Sequence, residues 1–441
     1  MATTEKAKQG VQMANAVSNY VNSKYNLNYP IVDIDTFKDL GGDFARRPFE
    51  EQNKWISVWY DLVVMQKFVN NRAFESYFKK LRKGETTGQI QLSAVDLIEA
   101  KKYTPDADAE DYFEDAKARI ETQYLNNIKP LKYALSINSA TMQTAFLTPE
   151  LLMDAYDSQI TALNNSAEND DIRLTKGLIE ASIEKGNVYI YPLATPKDRD
   201  TSLAFTRYVK KFAGDMAVEM QNKYNAGHFY TRTPKEYGLM LTTTDIAAIA
   251  DVYSLSWMFN KQLSDLREDG LFMEMSSEGL KDGNVYAVYM DTDALQIRNF
   301  VGFPRTATEF FGNTLTEKRW LHTKVMYNIN FFANMIAFAD PSSVGLTAAT
   351  LKTRNESTNA NRGEKITVLV DTITVSDGKI GDKFGTFEIS GNTDSTTHID
   401  KNSGYLVIGK NESGTSNKIT VKWTSHLNSS ITATLEITIN Q

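Results

Sequence analysis

The spacing of apolar side chains changes several times along the chain, and the changes divide it into segments. Residues 1–45 are polar and weakly periodic, with Tyr20, Tyr25 and Tyr29 spread through an Asn-rich stretch that ends at Gly41-Gly42. This reads as an N-terminal arm, with too few apolar residues for a core of its own but enough aromatics to adhere to one. NKWISVWYDLVVMQKFV (53–69) concentrates aromatic and aliphatic residues and predicts a buried helix or a pair of strands. From Asn70 to about Leu147 the pattern becomes charged and irregular, with a basic run KKLRKG (79–84) and an acidic run DADAEDYFED (106–115). A loop of that length is expected to be functional or ordered by a partner.

A helical period follows. Thr148-Pro149 supplies an N-cap hydroxyl and a proline at the first helical position. Leu152, Tyr156, Ile160 and Leu163 then fall on one face. A second helical piece, DDIRLTKGLIEASIEKG (170–186), carries Ile172, Ile179 and Ile183 on one side and stops at Gly186. A third, TSLAFTRYVKKFAGDMAVEM (201–220), repeats the spacing with Phe205, Val209, Phe212 and Met216. After the strand-like YGLMLTTT (237–244), a fourth is expected from about Asp245 to Leu266. From Leu271 the period becomes two, in LFMEM, NVYAVYM, ALQI and RWLHTKVMYNINFFANMIAFA, which predicts strands of an antiparallel sheet. Residues 46–340 therefore read as α+β, helices first and a sheet later. Beyond Pro341 the segment 341–365 is polar and linker-like. Residues 366–441 alternate short β-branched runs with SDGK, GNTD, KNSG and NESG turns, the pattern of a small β-sandwich able to fold by itself.

Composition narrows the function. A chain of 441 residues is long enough for about two or three domains. Its 41% hydrophobic and 23% charged content is that of a globular protein with a real core. The formal net charge of −7, from 48 basic and 55 acidic residues, gives no general attraction to a polyanion. Without cysteine there is no disulfide framework, thiolate metal site or cysteine nucleophile. The imidazoles are His228, His322, His398 and His426, too scattered to suggest a metal site or a catalytic triad. The N-terminus lacks a secretory h-region, and no apolar run approaches the ~18 residues of a membrane span, so a soluble protein made in a cytoplasm is expected.

The sharpest candidate for chemistry is Asp291-Thr292-Asp293, a pair of carboxylates that could chelate a divalent metal in a transferase. It lies where one apolar run ends and another begins, and aspartate favours turns, so a hairpin turn explains Asp291 and Asp293 without a metal. The phosphate loop G-x-x-x-x-G-K-[ST] and the elbow G-x-S-x-G are both missing. His322 alternates within RWLHTKVMY and reads as a sheet residue rather than a base. No cofactor is expected. The charged runs could be solvated loop; the sharper reading is that Lys79, Lys80, Arg82 and Lys83 on one side, and Asp106, Asp108, Glu110 and Asp111 on the other, contact neighbouring subunits. The 21 Tyr and 22 Phe fill cores, and aromatics are also what large protein interfaces use.

Four stretches taken in order resemble a known family. NKWISVWYDLVVMQKFVNN (53–71) with FKKLRKG after it, DLIEAKKYTPDADAE (96–110), AVYMDTDALQIRN (287–299) with RWLHTKVMYNINFFANMIAF (319–338), and HIDKNSGYLVIGKNESGTSNKITVKWT (398–424) are similar to the major capsid protein of small short-tailed phages. These are the Bacillus-type podoviruses with protein-primed replication. The resemblance implies an α+β Hong Kong 97-like (Johnson) capsid fold followed by a bacterial immunoglobulin-like group 2 domain. It implies an extended loop at about 72–145 and a peripheral domain at about 46–186 and 294–340, with the helix from Thr148 as its spine. An axial domain at about 187–293 and an immunoglobulin-like module at 366–441 complete the chain. The expected function is structural and non-enzymatic: a subunit that self-assembles through pentamers and hexamers into an icosahedral head. Expected partners are itself, a scaffolding protein, portal and other head proteins, and double-stranded DNA on the inner face, with no membrane. The expected location is the virion, after assembly in the bacterial cytoplasm. The competing readings are the metal-dependent transferase and a surface adhesin, which would need an export signal or anchor.

Overall fold

The computed structural model describes residues 2–59, 82–97, 118–253, 272–275, 278–280, 283–301, 305–311 and 316–440. Its described helices are α1 (Ala2–Tyr25), α2 (Phe37–Arg46), α3 (Phe49–Trp59), α4 (Ser139–Ala145), α5 (Pro149–Glu184), α6 (Arg199–Val218) and α7 (Thr244–Tyr253). The strands before the C-terminal module are β1 (Arg82–Thr86), β2 (Ile90–Val95), β3 (Ile120–Leu125), β4 (Ile128–Asn138), β5 (Tyr189–Pro192), β6 (Gly238–Thr243), β7 (Phe272–Met275), β8 (Val285–Asp291), β9 (Leu295–Phe300), β10 (Arg305–Phe311), β11 (Thr316–Ile329) and β12 (Met335–Ala339). The chain divides into one unit of residues 1–88, 126–175 and 297–327, and another of 89–125, 176–296 and 328–441.

The first unit corrects the reading of residues 1–45 as a polar arm. Ala7, Gly10, Ala14, Val17 and Val21 are buried at spacings of three and four, so α1 presents a continuous stripe built of small residues. Glycine and alanine contribute little to an apolar count, which hid the period. The stripe joins Tyr29, Phe37, Leu40, Phe44, Trp55, Trp59, Phe146, Leu152 and Leu321 in one core. Phe146 stands 5.0 Å from Phe44 and 5.0 Å from Trp55 between ring centroids, and the Trp55 indole donates to Ser18 Oγ at 3.0 Å. The asparagines also have work. Asn22 donates to Tyr29 O at 2.9 Å and accepts from Tyr29 N at 2.7 Å, and Asn15 makes the same pair of bonds to Val32, at 2.7 and 2.9 Å. They staple the return segment to α1.

The 53–69 stretch begins as α3; the rest of it lies outside the described residues. The two helical pieces expected after Thr148 are one helix of 36 residues. Nothing in the intervening NNSAEN is a breaker, and the Ser166 hydroxyl turns back to Ala162 O at 2.8 Å rather than competing with the backbone. The helix starts as expected, with Leu151 N donating to Thr148 Oγ1 at 3.3 Å, and Gly186 at φ 70° follows its end. The unit's sheet has the order β1-β9-β11-β10, with β4 also paired to β11, from Asn138 opposite Thr316 to Ile128 opposite Met326.

The second unit contains a five-stranded sheet in the order β5-β12-β8-β6-β7. β8 is buried from Val285 to Met290 and β12 along its whole length. α6 begins in a capping box of Asp198 and Thr201, and Phe205, Val209, Phe212 and Met216 are its buried face, as their spacing predicts. The antiparallel β2–β3 hairpin also belongs to this unit.

The C-terminal part is a sandwich of β13 (Leu346–Thr353), β15 (Lys365–Val375), β18 (Tyr405–Val407) and β17 (His398–Ile399) against β14 (Asn359–Asn361), β20 (Thr432–Asn440), β19 (Lys418–Ser425) and β16 (Gly385–Ser390). Val368, Phe387, Leu406, Val421, Trp423 and Ile437 form its core. The expected linker 341–365 is a second correction, because it contains β13 and β14. β13 pairs with β15 from Leu346 opposite Val375 to Thr353 opposite Val368. Its threonine and lysine positions made a half-buried strand look like loop.

Candidate assembly elements

The structure separates the candidate contact residues. Lys79, Lys80, Asp106, Asp108, Glu110 and Asp111 lie outside the described residues. Arg82 and Lys83 open β1, which runs parallel to β9 with Arg82 opposite Ile297. Lys83 is half-buried there, so this end of the basic run is sheet.

Asp291 and Asp293 do not sit in a hairpin. β8 and β9 belong to different sheets, and residues 292–294 make a single 3₁₀ turn between them. Asp291 caps that turn: its Oδ1 accepts from Asp293 N at 2.8 Å and its Oδ2 from the Thr233 hydroxyl at 2.8 Å. Asp293 is exposed. Among the described residues, no group of three His, Asp or Glu side chains is placed to hold a metal. His322 lies on β11 opposite Arg305.

The β2–β3 hairpin has two unlike faces. Gln91, Ser93, Val95, Ile120, Thr122 and Tyr124 point outward, while Ile90, Leu92, Ala94, Glu121 and Gln123 are half-buried and Leu125 is buried. Val95 and Ile120 are cross-strand partners, 56% and 65% exposed, and Tyr124 is 60% exposed. Apolar side chains so uncovered on one face of a ribbon suit a protein contact.

At its root the hairpin is fastened by polar groups that sequence reasoning missed. The Arg119 side chain is nearly enclosed, at 6% exposure. Its Nε and Nη2 donate to Glu121 Oε1 at 3.0 and 2.7 Å, and Nη2 also donates to Gly227 O at 3.1 Å. Asp96 Oδ2 lies 3.6 Å from Nη1, and the guanidinium stacks 4.2 Å from the Phe229 ring centre. Arg354 pairs with the same Glu121 oxygen. Burial depresses the Arg119 pKa and raises that of Asp96, the cost of placing both there. Gln123 forms a second tie, donating to Ile329 O at 2.7 Å and accepting from Phe331 N at 2.9 Å.

The C-terminal sandwich is likewise seated through buried polar groups. Asp382, fully buried, accepts from Ile190 N at 2.7 Å and Phe384 N at 3.1 Å, with His426 Nε2 at 2.8 Å from Oδ2. The His426 ring stacks on Tyr189 at 4.2 Å. Asp400 meets Asn222 at 3.2 Å and the Tyr230 hydroxyl at 3.4 Å. The bonds Asp382–Ile190 and Asp400–Asn222 and the His426–Tyr189 stack join segments far apart in sequence, so no local motif marks them.

Comparison with known proteins decides the family. The model of the Phi29-like phage major capsid protein matches residues 14–339. The chain belongs to the Phi29-like phage major capsid protein family. The major capsid protein of Bacillus phage GA-1 is 24% identical over 66% of this chain, a match that spans 62% of the relative's length. That of Bacillus phage B103 is 24% identical over 76% of this chain and 74% of its own, and that of Bacillus phage PZA 22% over 94% and 90%. Among solved structures, one described as head fiber and inner core protein gp22 of native bacteriophage P68 aligns with a TM-score of 0.45 at 11% identity, over 61% of this chain and 85% of the other. The capsid structure of Staphylococcus phage Andhra gives 0.44 at 12%, over 61% and 85%.

As a member of the Phi29-like family the chain is a structural capsid subunit and a virion component. The body that matches the family is α+β with one long helix, and an all-β region follows it.

Proposed function

We propose that the chain builds the icosahedral head around double-stranded DNA through pentamers and hexamers, with the hairpin lying over an adjacent copy. The family match over residues 14–339 carries this reading. The apolar outer face of Val95, Ile120 and Tyr124 supports the hairpin's role. Each subunit adds modest contacts to several neighbours, and closed symmetry multiplies them into a stable shell. Residues 187–293 serve as the axial domain, and the 46–186 and 294–340 segments as the peripheral domain. Assembly takes place in the bacterial cytoplasm with a scaffolding protein and a portal, and the subunit catalyses no reaction. The net charge of −7 suits a shell that must release its genome. Velocity sedimentation of the Ile120→Asp/Tyr124→Asp variant, mixed with scaffold, tests the hairpin contact. It is expected to stay as small oligomers where the native chain sediments as shells. Shell formation equal to native would remove the hairpin face from assembly.

A further inference from the structure

The cluster around Arg119 draws on three distant parts of the sequence. Asp96, Arg119 and Glu121 come from the hairpin root, Gly227 and Phe229 from the turn after Asn222, and Arg354 from the turn that follows β13. The turn that supplies the carbonyls is itself held by the sandwich, through Asp400 on Asn222 and Tyr230, and Asn402 on Asn222 at 2.8 Å. The Tyr405 ring of the sandwich stands 5.8 Å from the Arg119 guanidinium.

We propose that the C-terminal sandwich positions the hairpin: Arg354 fixes Glu121, Glu121 fixes Arg119, and Arg119 sets the direction in which β2 and β3 leave their root. Two guanidiniums, Arg119 enclosed and Arg354 half-exposed, face the carboxylates of Asp96 and Glu121, with the Asp400 carboxylate also acting on Arg119. Taking away Arg354 leaves the Glu121 carboxylate, itself 13% exposed, with Arg119 as its one cation beside Asp96 and Asp400, so the excess of negative charge at the root rises. A cavity of about 170 Å³ lies on the sandwich side, lined in part by Gly227, His228, Arg354, Lys383 and Ser403. The hairpin's other tie, Gln123 on residues 329–331, does not involve the sandwich. The root is thus held at one point that depends on the sandwich and one that does not. Arg119 and Arg354 are positioning residues: they carry the sandwich's placement to a ribbon more than 200 residues upstream in sequence.

The proposal goes beyond the capsid reading and is tested on single chains, so it stands or falls apart from assembly. Amide hydrogen exchange of the unassembled full-length chain is compared for native, Arg354→Met, Arg354→Lys and Lys352→Met proteins. In Arg354→Met, residues 90–95 and 120–125 are expected to exchange roughly tenfold faster while β19 and β20 keep native protection. Arg354→Lys should recover part of that protection. Lys352→Met, which breaks only the 2.8 Å pair with Asp371, should leave the hairpin unchanged. Native exchange in the hairpin of Arg354→Met overturns the proposal. If Arg354→Met loosens the sandwich as well, Glu121→Gln decides, since it breaks the same pair by a change on the hairpin and leaves the sandwich's own residues intact. Faster exchange confined to the hairpin supports the proposal, and unchanged exchange there refutes it.

Discussion

At the scale of single residues, Asp291 and Glu412 show two carboxylates held by different means. Both Asp291 oxygens accept hydrogen bonds, while Asp293 is exposed and offers its amide to the cap. Replacing Asp291 by Asn and Asp293 by Gly retains a capping oxygen, and is expected to cost under about 1 kcal/mol in chemical denaturation and to leave assembly intact. Asp291→Ala removes the cap and should cost about 1–2 kcal/mol. A double variant that denatures like Asp291→Ala would mean that the charge, not the cap, matters. Glu412 is buried in the sandwich. Burial alone would raise its pKa; hydrogen bonds from the Thr397 and Thr393 hydroxyls and the Thr393 and Gly414 amides outweigh it and bring the carboxyl to about 2. A lowered folded pKa contributes stability above the unfolded value near 4.5 that is lost as pH falls toward about 2. The native sandwich should lose on the order of 2–3 kcal/mol across that window, and Glu412→Gln should flatten the loss, as followed by Trp423 fluorescence.

At the scale of elements, two glycines in long helices carry opposite predictions. A Cβ on Gly10 would run into the carbonyl of Pro149, so α1 and the start of α5 meet there at backbone distance. A Cβ on Gly177 would meet nothing within 4 Å. Gly177→Ala is expected to stabilise by about 0.5–1 kcal/mol through helix propensity alone, and Gly10→Ala to destabilise by about 1–3 kcal/mol despite the same propensity gain. Equal signs in thermal denaturation would show that α1 does not pack as described. The same contrast explains what the sequence could reveal. The face of α6, the continuous apolar run of β8 and the alternation of β11 were legible because large apolar side chains mark them. α1 was missed because its buried stripe is alanine, glycine and valine, and β13 because threonine and lysine share it with leucine. The Asp291 turn was placed correctly in sequence but not in topology, since which sheet β9 joins depends on distant pairings. Arg354, Asp382 and His426 could not be singled out, because Glu121, Ile190 and Tyr189, which they meet, come from remote segments.

At the scale of the whole molecule, the chain joins an α+β capsid body to an all-β region, and family membership makes it a shell subunit. An acidic chain that carries an exposed apolar face on its β2–β3 hairpin is suited to gain stability from copies of itself. Electron microscopy of the purified full-length chain, with its scaffolding partner and at high concentration, tests this most directly. The expected images are closed, uniform shells of megadalton mass, whose capsomers are pentamers and hexamers of this chain. A field of monomers under those conditions would contradict the account.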